Sequence, residues 1–174
     1  MREPLNRGRV EKLMAALGAA ILGSGRIYFT GGVTALLFGW RESTIDADLC
    51  ADPEPAGFFE SLPKVKLQLN ANLEMVSPAD FLPELPGWRS RSLFIARHGR
   101  IDFHHYDFYS QALTKILRHH ERDRRDLQGM SDARLIEPAR LRELFDSIKP
   151  KLVRYPKIDP AAFEERLAKW IDAG

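Results

Sequence analysis

Arg26-Ile-Tyr-Phe-Thr-Gly-Gly-Val-Thr-Ala-Leu-Leu-Phe-Gly-Trp-Arg-Glu-Ser-Thr-Ile-Asp-Ala-Asp-Leu49 is the stretch around which the rest of the chain is organised. Arg26 to Thr30 is short and β-rich, and it meets two glycines, Gly31 and Gly32. An apolar helical run from Val33 to Phe38 follows, then a polar turn, then Asp46-Ala-Asp48 inside a second short strand. Glycines have no Cβ, so this backbone can turn sharply and come close to a ligand. The amides that open the next helix point at such a ligand, and the helix dipole there favours negative charge. Residues i and i+2 of a strand face one side, so Asp46 and Asp48 project together while Ile45, Ala47 and Leu49 are expected to face the core. Paired carboxylates beside an anion cradle make a site for Mg2+ (or Mn2+) with a nucleoside triphosphate.

The chain has 174 residues, 44% of them hydrophobic and 29% charged, as in ordinary globular proteins. A net charge of +2, from 26 basic and 24 acidic residues, is too balanced to argue for nucleic acid by composition alone. The single cysteine, Cys50, excludes an internal disulfide and fits a reducing compartment. Arg2, Arg7, Arg9 and Lys12 precede the apolar run from Leu13 to Leu22, in the manner of a signal peptide. Against that, Val10, Leu13, Met14, Leu17 and Ile21 fall at helical spacing, as in a core helix. No apolar run is long enough to span a bilayer. The expected location is the cytoplasm, with no membrane partner.

Taken in order, the pattern predicts a helix over 9–22, a strand over 26–30, a helix over 32–39 and a strand over 45–50. Residues 54–69 read as a helix interrupted by Pro63. Leu73 to Val76 reads as a strand, and Ser77-Pro78 as the start of a short helix that Pro83 and Pro86 curtail. A hairpin is expected from Ser92 to Tyr106 around His98-Gly99, then helices over 108–119, 121–131, 138–148 and 160–172. This predicts an α+β fold: a small mixed sheet with helices packed on it in residues 1–106, and a C-terminal helical region in residues 107–174 packed against that core.

Asp102 stands alone between Ile101 and Phe103 in an apolar strand. It reads either as a solvent-facing charge or as a third carboxylate, completing the set that two cations need to hold a triphosphate and align an attacking hydroxyl. In the second case it is a metal ligand or a general base. Phosphoryl-type transfer depends mainly on positioning and charge neutralisation, which an acidic triad supplies.

The order Gly31-Gly32, helix, Asp46-x-Asp48, then apolar-Asp102-apolar resembles the DNA polymerase beta-like nucleotidyltransferase superfamily. Lys115, followed by Arg122-Asp123-x-x-Asp126, is similar to a signature of bacterial proteins related to AbiEii-type toxins. Arg41 and Thr44 match the Arg-x-x-Thr-x-Asp-x-Asp form of that branch. The resemblance covers residues 26–130. It implies the nucleotidyltransferase fold and the transfer of a nucleoside monophosphate from an NTP to an RNA end or a protein hydroxyl. It further implies Asp46, Asp48 and Asp102 as catalytic metal ligands. Gly31, Gly32, Thr34, Arg41, Thr44, Lys115, Arg122 and Asp126 are then the NTP-binding set, and the chain has a place in a toxin–antitoxin or phage-defence pair. Many superfamily members carry Gly-Ser where this chain has Gly31-Gly32, which leaves Thr30 or Thr34 to supply a hydroxyl.

If residues 113–127 form one helix, Lys115, His119, Arg122 and Asp126 share a stripe; a new helix at Glu121 or Asp123 would break it. The plainer account of that stripe is a solvated face of charge pairs. The five histidines show no zinc spacing, and Cys50, at a strand end, reads as packing. Arg118, Arg122, Arg124 and Arg125 form a basic cluster that is either a solvated surface or attractive to RNA or an acidic protein. The competing functional class is a nucleotidyltransferase-fold binding module without turnover.

Overall fold

In the computed structural model, which describes residues 1–174, Gly25–Thr30 forms the middle strand of a sheet. This strand is β1, and the chain turns at Gly31 directly into α2 (Gly32–Leu37). The other strands are β2 (Asp46–Ala51), β3 (Asn72–Met75), β4 (Leu93–His98) and β5 (Ile101–His105), in the spatial order β3-β2-β1-β5-β4. The sheet is mixed: β1 runs antiparallel to β2 and parallel to β5, while β2 and β3 are parallel. Parallel neighbours need a helical crossover, and α3 (Phe58–Leu69) supplies it between β2 and β3.

The alternation of the strands sets up two faces. Ile27, Phe29, Ala47, Leu49, Leu73, Ile101 and Phe103 enter one core with Val10, Leu13, Met14 and Leu17 of α1 (Arg7–Ala20). Those four positions form the single apolar stripe that an i, i+3, i+4, i+7 spacing produces, and Asn6 caps the helix by accepting the Arg9 N–H at 2.9 Å. The opposite face carries Arg26, Tyr28 and Thr30 of β1, Asp46, Asp48 and Cys50 of β2, Asn72 and Glu74 of β3, and Asp102 and His104 of β5.

Two local expectations are corrected. Pro63 does not interrupt α3: Phe58, Ser61, Leu62 and Val65 are buried along it, and the helix runs on to Asn70, where a left-handed conformation (φ 48°) ends it. Ile45 does not face the core but is 56% exposed. The β2 pairing starts only at Asp46, and Thr44 pairs separately with Leu5.

The chain divides into two compact units, residues 1–77 with 92–106, and residues 78–91 with 107–174. The second unit contains α4 (Trp88–Arg91), α5 (Phe108–Arg118), α6 (Asp123–Asp132), α7 (Pro138–Ile148) and α8 (Pro160–Ala173). Segment 78–91 therefore belongs with the helices and not with the sheet. The reason is local: Asp107, buried and capping α5 through the Tyr109 and Ser110 N–H groups, accepts two hydrogen bonds from Arg91 at 3.0 and 2.8 Å. Leu141, Phe145, Ile148, Leu152, Phe163 and Leu167 are buried in this unit, where Phe145 and Phe163 meet edge to face at 5.0 Å. No helix is long and apolar enough to cross a membrane.

Candidate functional site

Asp46 and Asp48 lie on the non-core face of β2, and β3 runs parallel beside them with Asn72 level with Asp46 and Glu74 level with Asp48. Neighbouring strands stand about 4.8 Å apart, so these side chains are immediate neighbours. The Asn72 amide donates to Asp46 Oδ1 and, at 3.0 Å, to Glu74 Oε1. A neutral donor between two carboxylates offsets the repulsion that neighbouring like charges suffer. Carboxylate and amide oxygens are the donors a hard divalent cation takes, so the donor chemistry fits Mg2+ or Mn2+. As the side chains stand, no three His, Cys, Asp or Glu converge closely enough to hold one.

Asp102 does not join this group. Asp48 is level with Thr30 and Asp102 with Arg26, on opposite sides of β1. That is a separation of about 13 Å along the strand direction and two strand spacings across it. Asp46 lies further still, level with the chain after it has turned at Gly31. Asp102, 28% exposed, is instead paired with Arg97 at 2.9 Å. Glu74 is the acid that sequence reasoning missed. Its signal was present: Leu73-Glu74-Met75 is an acid between apolar residues in a strand, the same criterion that singled out Asp102.

The two glycines have different tasks. Gly31 has φ +61°, and a Cβ there would stand 3.2 Å from Asp48 Oδ2, so its bare backbone borders the acid pair. Gly32 is buried, and a Cβ there would stand 2.1 Å from Thr44 Oγ1; its smallness accommodates Thr44 and not a ligand. Thr44 Oγ1 donates to the Asp46 carbonyl at 3.1 Å, tying the turn to the start of β2. Thr34 is fully buried with its hydroxyl on His105 Nδ1 at 3.0 Å, which directs it into the structure. Thr30 lies opposite Asp48 and is the better placed hydroxyl. Arg41 is half-buried in the turn after α2, its N–H on the Ala35 carbonyl.

Beyond the acids, the same face carries the Tyr28 and His104 rings, 5.4 Å apart. Burial lowers the pKa of His104. His105, on the core side of β5, is held neutral down to about 4, chiefly by burial and further by the neighbouring His104.

The Lys115 signature resolves into an internal network in the helical unit. α5 ends at Arg118, His119 takes a left-handed conformation (φ 56°), and Asp123 opens α6, so residues 113–127 do not form one helix. The turn carries Asp123 and Asp126 back onto Lys115, whose ammonium contacts them at 3.1 and 2.9 Å while only 4% exposed. Arg118 adds a two-pronged bond to Asp123 at 2.8 and 2.7 Å. Burial alone would raise the Asp123 carboxyl, but the hydrogen bonds and charges of Arg118 and Lys115 outweigh it and hold the pKa at about 2. Lys115 and Asp126 are thus committed to each other, while Arg122 is exposed at the head of α6. Comparison of the chain with protein-family models, curated proteins and solved structures finds no match.

Proposed function

We propose that this chain is a metal-dependent nucleotidyltransferase that moves a nucleoside monophosphate from an NTP to a hydroxyl of an RNA or protein acceptor. The observation that supports the reading best is the acid pair: Asp46 and Asp48 on one face of β2, Glu74 level with them on β3, and the bare backbone of Gly31 against Asp48. Asp46 and Asp48 would hold Mg2+, which when bound neutralises the triphosphate and the departing pyrophosphate. Gly31 leaves room for phosphate oxygens beside the carboxylates, and Asn72 keeps Asp46 and Glu74 in place. Glu74, exposed at the rim, accepts the proton of the acceptor hydroxyl as its oxygen bonds the α-phosphorus and the α–β phosphoanhydride bond breaks.

The test incubates the protein with each labelled NTP, Mg2+, total RNA and protein extract. Label in one macromolecular fraction, absent without metal and absent in the Asp46→Asn, Asp48→Asn double variant, is the expected result. A second reading, a binding module that keeps the fold without turnover, is favoured by one fact: the lysine expected at the triphosphate is occupied by Asp123 and Asp126. It predicts metal-dependent NTP binding with no label transferred. Partnership in a toxin–antitoxin or defence pair belongs with either reading.

A further inference from the structure

Residues 118–126 read Arg-His-His-Glu-Arg-Asp-Arg-Arg-Asp, four arginines against three acids, a nearly neutral segment in sequence. Folding separates those charges. Asp123 and Asp126 turn inward onto Lys115 and Arg118, while Arg122, Arg124 and Arg125 are exposed and make no ion pair. Glu121 is the one acid left at this corner, and the exposed His119 and His120 precede it.

We propose that the corner between α5 and α6 is a docking surface for the phosphodiester backbone of a nucleic acid. Guanidinium forks match phosphate oxygens two at a time, and all three free cations here are arginines. A protein partner would need an apolar or aromatic centre to exclude water. Apart from the polar imidazoles of His119 and His120, the exposed residues of the corner (Glu121, Arg122, Arg124, Arg125) are all charged and offer no apolar centre. Contacts of this kind read backbone charge and carry no base sequence. The docking surface stands without the nucleotidyl-transfer reading; only its use in presenting an RNA acceptor rests on it.

The test is fluorescence anisotropy of the full chain with labelled strands of equal length (single-stranded RNA, duplex RNA and duplex DNA) at several salt concentrations. The Arg122→Gln, Arg124→Gln, Arg125→Gln triple variant is expected to bind at least about tenfold more weakly and to lose about two units of salt slope on a single strand and nearly three on duplex DNA, as three lost phosphate contacts dictate. A control triple, Lys151→Gln, Arg154→Gln, Lys157→Gln, removes the same charge from another exposed segment and is expected to bind like the parent. Thermal melting of both triples confirms that they are folded. Preference among the three strands names the nucleic acid concerned. The proposal is overturned by absence of binding to all three, by equal loss in both triples, or by polyglutamate binding as tightly as RNA. The Asp46→Asn, Asp48→Asn variant separates the two readings: it is expected to lose metal-dependent NTP binding and to keep nucleic-acid binding.

Discussion

Glu74 and Asp102 are both single acids in apolar strands, yet the register puts one beside Asp48 and the other four residues away along β1. Glu74→Gln is therefore expected to lower metal-dependent label transfer by about 100-fold or more, the size of a lost general base, while Asp102→Asn leaves it within about twofold of the parent. Equal losses in the two variants would refute the assignment. Acid stability is also a matter of single residues. His105 has its pKa depressed from 6.5 to about 4, so its contribution is complete above pH 6.5 and is lost as pH falls toward 4; that window holds on the order of 3 kcal/mol. Asp123, depressed from 3.8 to about 2, adds a second loss of about 2 kcal/mol only below pH 4. Urea unfolding of a His105→Gln variant is expected to be flatter than the parent between pH 6.5 and 4.5, with the steeper decline below pH 4 retained.

At the level of elements, the turn from β1 into α2 depends on Gly32 admitting Thr44. Gly32→Ala is expected to cost roughly 2–3 kcal/mol by overpacking. Combined with Thr44→Gly it should cost less than the two changes added separately, a coupling of about 1–2 kcal/mol that a double-mutant cycle measures. Between α5 and α6, Lys115→Met would leave two buried carboxylates without their shared cation, and about 3–5 kcal/mol of stability should go with it. A triphosphate-binding lysine would instead show intact melting and weaker NTP binding. Most elements were legible in the sequence because each strand and helix announces itself by period: Arg26–Thr30, Asp46–Asp48 and Val10–Leu17 lie where the alternation put them. Register was not legible, since nothing local to Asp102 or Glu74 says which residue of β1 or β2 stands opposite. The break near residue 120 was legible, and α6 does open at Asp123; the spacing from Lys115 to Asp126 did not reveal that this turn would carry Asp123 and Asp126 inward onto Lys115.

For the whole molecule, the division into compact units is discontinuous in sequence, unlike the single boundary at residue 106 that the pattern suggests. The chain passes between its two units at 77–78, 91–92 and 106–107. A fragment of residues 1–106 would keep segment 78–91 while losing Asp107, the partner of Arg91. It would also strand Leu82, Leu85 and Trp88, all buried in the intact chain. That fragment is expected to aggregate, whereas the same fragment with 78–91 replaced by a short Gly-Ser linker should remain monomeric by size-exclusion chromatography.

The pairing of β3 with β2 has a last consequence. Ala71 and Leu73 are buried while Asn72 and Glu74 alternate with them on the other face. Sliding β3 forward by two positions would preserve that parity and set Asn72, an amide, against Asp48. Two extra residues between Asn70 and Ala71 are thus an alteration the hydrophobic interior would tolerate and the chemistry would not, so the length of this short link governs whether an acid or an amide faces Asp48.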